Sequence, residues 1–325
     1  MSNNAIDVCT QEHDYEYQIK QPIARFWKNR QQGYVKGVGH KELYWISLTS
    51  PLHDKAILVV NGRTESACRY QELFYDLFKQ GFDIYSYDHR GQGMSQRLLD
   101  DYHMGHVEDF EDYVDDLAII TKQFDLNRYS RRFILAHSMG GAISTRYIQN
   151  TPAHPFHAIA LSAPMFGIKM PSPLRAIAKP LCKTLIHWKK EPHYAIGQTG
   201  YQRTSFAENR LSSCKARFEW SADLFDAVEE IQMGGPTSQW VWQAMLGSEQ
   251  CVKHAQKVNI PLLLVQPALD SVVDNVAQNR FIAKLSRVRQ DAILLPVADA
   301  MHEILIEQDQ ARNQALDAIL GFFEQ

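Results

Sequence analysis

FILAHSMGGAIS, residues 133–144, is the stretch on which the fold turns. Its apolar start, FILA, reads as a strand buried on both faces. From Met139 to about Gln149 the spacing reads as a helix. A serine between strand and helix, flanked by small residues, marks a sharp turn that holds a hydroxyl at its tip. Gly140 and Gly141 give the room that turn needs, because the helix packs close behind Ser138. Ala136 stands where the G-x-S-x-G pattern has its first glycine, a difference of one methyl. A serine ahead of a helix also serves as an ordinary N-cap. The preceding strand favours the nucleophile.

Outward from this turn, strands and helices alternate. Strand patterns fall at 33–38, 43–48, 56–61, 82–88, 158–164, 261–267 and 292–298. Helical periodicity covers Tyr70 to Lys79, Val107 to Phe124 and roughly 308–323. Residues 1–32 read as an irregular or helical lead-in. Such alternation calls for an α/β fold, a mostly parallel central sheet flanked by helices. One stretch breaks the rhythm: 165–257 has no buried-strand signal but holds four of the six tryptophans. It reads as an inserted helical cap, leaving 1–164 and 258–325 as the core.

A serine hydroxyl is a weak nucleophile and needs a base, itself oriented by a carboxylate. In this fold class the partners follow in the order serine, acid, histidine. Asp270 lies in the loop after the strand at 261–267, and His302 in the loop after the strand at 292–298. Asp270 is preferred to Asp274 because it is nearer the strand end. Asp274 reads as the cap of a following helix. His137 reads as a packed neighbour, Glu303 as a supporting or helix-start residue, and His103 with His106 as too few ligands for a metal. Oxyanion donors are expected from the backbone N–H of Met139 and of Arg63, in the Asn61-Gly62-Arg63 loop after the strand at 56–61. The loop YDHRGQGMS, 87–95, lacks phosphate-loop spacing and reads as a structural turn, with Asp88 and Arg90 bracing the site wall.

Composition narrows the class. The 325 residues carry 34 Lys plus Arg against 37 Asp plus Glu, a net charge of −3. That balance offers no basic surplus for nucleic acid. Five cysteines without a C-x-x-C pair argue against a disulfide framework or a zinc site. The opening MSNNAIDVCTQEHDYEY has no signal-peptide pattern, and no apolar run reaches the length of about 18 residues that a spanning helix needs. A cytoplasmic setting is expected, with no cofactor.

The motifs NGRTES, DHRGQGMS, GHVEDFEDYVDDL, AHSMGGAIS, LDSVVDN and MHEIL resemble the serine α/β-hydrolases, in particular the monoacylglycerol lipase and lysophospholipase branch. SAPMFGI and GGPTSQW are narrower signals pointing to bacterial lysophospholipases, and the likeness runs from about residue 20 to the C-terminus. The resemblance implies that Ser138, Asp270 and His302 are nucleophile, acid and base. It implies a lysophospholipid or other monoacyl lipid as substrate, and peripheral association with the inner face of an anionic membrane. Two rival readings are a monoacylglycerol lipase or general carboxylesterase with the same triad, and a catalytically silent lipid-binding protein.

The cap adds its own signal. In 172–190, Leu174, Ile177, Ala178, Leu181, Leu185 and Trp188 recur at helical spacing, with Arg175, Lys179, Lys183 and Lys190 on the other side. Between 165 and 190 there are six basic residues and no acidic one. A basic amphipathic helix suits an anionic lipid surface, although Pro180 is expected to kink it. Arg175, Lys179, Lys183, Trp188 and Trp240 are the candidates for facing substrate or membrane.

Overall fold

The computed structural model describes residues 9–189 and 191–325, apart from the side chains of 172 and 174–176. In chain order the helices are α1 (Tyr15–Gln18), α2 (Ala24–Lys28), α3 (Gln71–Lys79), α4 (Phe110–Gln123) and α5 (Met139–Asn150), followed by α6 (Ser172–Lys189), α7 (Lys215–Ala227), α8 (Ser238–Lys253), α9 (Asn275–Leu285) and α10 (Asp309–Glu324). The strands are β1 (Gln31–Lys36), β2 (Glu42–Leu48), β3 (Lys55–Val60), β4 (Phe82–Tyr87), β5 (Arg131–His137), β6 (Ala158–Ser162), β7 (Leu262–Pro267) and β8 (Ala292–Val297). They form one sheet of order β1-β2-β4-β3-β5-β6-β7-β8. The β1–β2 and β2–β4 pairs are antiparallel and all later pairs are parallel.

The unbroken apolar runs have a simple cause. Side chains alternate across a strand, and both faces of this sheet are covered. Ala56, Leu58 and Val60 of β3, with Ile134 and Ala136 of β5, enter one core together with residues of α4, α5, α8 and α9. Ile57 and Val59, with Phe133 and Leu135, enter the other core beneath α3 and α10. β1 and β8 are the edge strands, and both have exposed positions.

Between β6 and β7 the described residues form α6, α7 and α8 and no strand. α8 is set into the first core through Trp240, Ala244 and Cys251. α7 is tied down by Arg217, whose buried guanidinium bonds Glu72 of α3 and Asp309 of α10. α6 runs on through Pro180 as one helix. Its apolar stripe is only partly covered. Ala178 and Cys182 are buried, whereas Ile177 is 53% and Trp188 78% exposed. Lys179 of α6 reaches across to pair with Glu249 of α8 in a solvent-exposed ion pair. Among the described residues no helix is long and apolar enough to cross a membrane.

Candidate active site

The turn between β5 and α5 holds Ser138 at φ 51°, ψ −116°, a conformation an L-residue adopts only under constraint. The constraint is visible. Ser138 N–H donates to Ser162 O of β6 at 3.0 Å, and Met165 N–H donates to Ser138 O at 2.9 Å. The two glycines are needed where the sequence places them. A Cβ on Gly140 would overlap the carbonyl oxygens of Val60 and Asn61, and one on Gly141 would lie 2.8 Å from Pro164 Cβ. Ser138 is itself 7% exposed, at the base of the cavity described below.

The structure brings together the three side chains singled out in the sequence. Ser138 Oγ lies 2.9 Å from His302 Nε2, and His302 Nδ1 lies 2.8 Å from Asp270 Oδ2. Asp270 Oδ1 accepts from the N–H groups of Val272 at 2.7 Å and Val273 at 2.9 Å. Burial works against the charged carboxylate, but His302 and these two amides outweigh it and hold the Asp270 pKa below its ordinary value. An ionised Asp270 accepts only, so the proton sits on His302 Nδ1 and leaves Nε2 free to take one from Ser138. Asp274 is the N-cap of α9, its carboxylate accepting from Val276 N–H at 3.0 Å.

Other residues fall differently. His137 is packed as expected, its Nδ1 3.3 Å from Ser162 Oγ of β6, but its ring centroid also lies 4.9 Å from that of His302 and it borders the cavity over Ser138. As the last residue of β5 it stands at the sheet rim, where the His302 loop passes. Burial, and then the charge of His302, push its pKa down to about 3, so it is neutral. Arg90 braces no site wall. It forms ion pairs with Asp112 and Asp116, one turn apart on α4, and donates to Val38 O. Asp88 does bind the site loop, accepting from Ser66 Oγ at 2.7 Å and from the N–H groups of Ala67 and Met94. His106 bonds Thr237 and Glu108.

The loop carrying Arg63 is held by residues the sequence reading missed. Glu65 accepts from Gly62 N–H, from Tyr70 O–H at 2.8 Å and from Arg69 at 3.0 Å. Gln92 Nε2 donates to Gly62 O at 2.7 Å and to Glu65 O at 2.9 Å. Arg69 also grips both oxygens of Glu303, beside His302. The Glu65–Arg69 spacing of four was a readable signal, whereas the partners of Gln92 were not. Met139 opens α5, where an N–H has no intrahelical acceptor.

Above Ser138 is a cavity of about 290 Å³, bordered by Arg63, Met165, Ile168, Leu211, Trp240, Val272 and Val273 as well as His137 and His302. Trp240 is buried and faces this space, not a membrane, with its indole N–H donated to Tyr113 O–H at 3.2 Å. Lys179 is paired with Glu249, and Lys183 and Trp188 are exposed on α6. The side chain of Arg175 lies outside the described residues.

Known proteins resemble most of the chain. Residues 51–309 match the family described as "Serine aminopeptidase, S33". Lysophospholipase L2 of Escherichia coli K12 is 39% identical over 306 residues, covering 93% of this chain and 90% of that protein. The probable lysophospholipase L2 of Haemophilus influenzae is 36% identical over 270 residues, 82% of this chain and 83% of that one. Among solved structures, the monoacylglycerol lipase of Paleococcus ferrophilus shares the α/β-hydrolase fold. It has TM-score 0.67 and 21% identity, covering 87% of this chain and 98% of that one. On the extent of these matches, the chain belongs to the S33 family of serine α/β-hydrolases, in the company of the bacterial lysophospholipases L2.

Proposed function

We propose that the protein is a serine esterase that cleaves the single fatty acyl ester of a lysophospholipid. The observation that carries this is the Ser138–His302–Asp270 chain of contacts at 2.9 and 2.8 Å beneath a largely apolar cavity. The likeness to lysophospholipases L2 over 93% of the chain supports the substrate class. His302 Nε2 takes the Ser138 proton as Oγ attacks the ester carbonyl. The backbone N–H groups of Met139 and Arg63 receive the oxyanion. With Gly62 N–H occupied by Glu65, the amide this loop offers is the next one, Arg63. The carbonyl–alkoxy bond then breaks, and the departing alcohol takes the proton from His302. Water, deprotonated by His302, attacks the acyl-enzyme; the fatty acid leaves and the proton returns to Ser138. Asp270 keeps the proton on Nδ1 and steadies the imidazolium.

The family is described by an aminopeptidase activity, which cleaves a different bond. An N-terminal ammonium needs an uncommitted carboxylate near the nucleophile, and Glu65 and Glu303, which border the cavity, are both engaged by Arg69. The ester reading is therefore preferred. The deciding assay is fatty acid release from lysophosphatidylcholine, lysophosphatidylethanolamine and monoacylglycerol in parallel, with Ser138→Ala as the blank. Release from the lysophospholipids, lost in the variant, is expected; release from monoacylglycerol alone would move the enzyme to the neutral-lipid branch. Residual Ser138→Ala activity of a few per cent would remove the serine from its role.

The segment 165–257 is taken as a cap, with α6 as its membrane-facing element at the cytoplasmic side of an anionic bilayer. Exposed Ile177 and Trp188 stand beside exposed Lys183 and Lys189, an arrangement suited to such a surface. Flotation with anionic vesicles tests this: Trp188→Ser with Lys183→Glu is expected to reduce bound protein several-fold. Equal binding by this variant and the parent would rule α6 out.

A further inference from the structure

Most arginines of this protein that reach its interior have a carboxylate to meet. Arg69 meets Glu65 and Glu303, Arg217 meets Glu72 and Asp309, Arg312 meets Asp76, and Arg90 meets Asp112 and Asp116. Arg63 meets none among the described residues. Its Nη2 donates to Gly234 O at 2.5 Å, and its guanidinium lies 5.0 Å over the ring of Trp240. Its Nε is buried and has no partner among the described residues. Arg97 also lacks a carboxylate but borders a different cavity, with Tyr34 and Tyr102. Only Arg63 brings a permanent positive charge to the described lining of the cavity over Ser138.

A guanidinium largely withdrawn from water without an anion is costly to keep. Burial draws the Arg63 pKa down to about 10, with Tyr113 opposing; it stays charged at neutral pH. The planar group suits a phosphate, which accepts paired N–H bonds. Trp240 holds its plane from one side. Gly105 leaves it space, because a Cβ there would stand 2.9 Å from Nη2. Position also fits. Arg63 follows Gly62, on which a Cβ would lie 3.1 Å from Ser138 Cβ. Arg63, the Trp240 ring beneath its guanidinium and Ser138 all border the one cavity.

We propose that the Arg63 side chain is the headgroup-selecting element of this enzyme, binding the phosphodiester of the substrate while its own backbone N–H serves the oxyanion. This rests on the esterase reading above and deepens it. The side chain is a specificity residue for an anionic phosphate ester, and it disfavours an uncharged monoacyl glyceride, which leaves the buried charge unmet.

The test is the ratio of kcat/KM for lysophosphatidylethanolamine to that for monoacylglycerol of the same acyl chain, both below their critical micelle concentrations. It is measured for the parent, Arg63→Gln and Arg63→Lys. The ratio cancels any general loss from disturbing the loop. Arg63→Gln is expected to lower it about 10- to 100-fold, the range for losing a charge-assisted hydrogen bond, and Arg63→Lys to lower it less. If Arg63 only straps the loop to Gly234, both substrates fall together and the unchanged ratio overturns the proposal. Parent activity on monoacylglycerol alone overturns it while leaving the esterase standing. Activity on neither lipid overturns both.

Discussion

At Ser138 the chain stores strain that the turn requires. A non-glycine residue at φ 51°, ψ −116° costs about 1–3 kcal/mol, and the contacts to Ser162 and Met165 hold it there. Glycine relieves that cost, less about 0.5–1 kcal/mol for the extra freedom of the unfolded chain. Ser138→Gly is therefore expected to raise the thermal midpoint by a few degrees, whereas Ser138→Ala keeps its Cβ and gains far less. Equal midpoints for the two variants would show the turn to be unstrained. Asp270 makes a complementary case. Asp270→Asn retains an oxygen for the Val272 and Val273 amides but loses the charge that keeps the proton on His302 Nδ1. A fall in kcat of roughly 10⁴-fold is expected, with the far-ultraviolet spectrum unchanged; a loss under tenfold would deny Asp270 its orienting role.

Among the elements, α7 shows how the segment between β6 and β7 is fastened. Arg217 is buried and bonds Glu72, Asp309 and the backbone oxygens of Thr10 and Glu307, so one side chain joins α7 to α3, α10 and the N-terminal segment. Arg217→Ala strands Glu72 in the interior. Breaking a buried pair from one side costs about 3–5 kcal/mol; Arg312, 3.8 Å from Glu72, remains as partial compensation and puts the expected loss near the lower end. Urea unfolding measures it, and a loss below about 1 kcal/mol would mean that this junction contributes little to stability. α6 teaches the opposite lesson about reading sequence. Its periodicity was legible, but the side that packs was not. Ile177 and Trp188 lie on the apolar stripe yet stand exposed, and Lys179 takes its ion-pair partner, Glu249, from seventy positions away in the chain. A helical wheel holds no information about its partner.

For the whole molecule, legibility followed the distance over which each residue is satisfied. The β5–α5 turn was readable because double-sided burial writes an unbroken apolar run and close packing writes paired glycines. The loop positions of Asp270 and His302 followed from the strand ends. Gln92 and the Arg69–Glu303 pair were not readable as a support, because long polar side chains choose partners by position in space; Arg69 and Glu303 stand 234 residues apart. Two buried histidines give this global burial a measurable consequence. His89 donates from Nε2 to Asn61 O at 2.9 Å, and burial pulls its pKa down to about 4; His137 is pulled to about 3. In the unfolded chain both titrate near 6.5. Below that pH the unfolded state binds protons that the folded state refuses, so stability falls with pH by up to about 1.4 kcal/mol per unit for each group until the folded pKa is reached. Asp270 acts elsewhere: its folded pKa is depressed, so its contribution is complete above the unfolded carboxylate range and is lost only as pH falls through the folded value. Urea midpoints between pH 7 and 4.5 thus include the two histidines and leave Asp270 out, and the double variant separates these rings from other groups. The parent is expected to weaken steadily across that window, and His89→Gln with His137→Gln to flatten the slope by up to two protons' worth. Parallel slopes would assign the acid sensitivity to other groups and show that these rings take up their protons without unfolding.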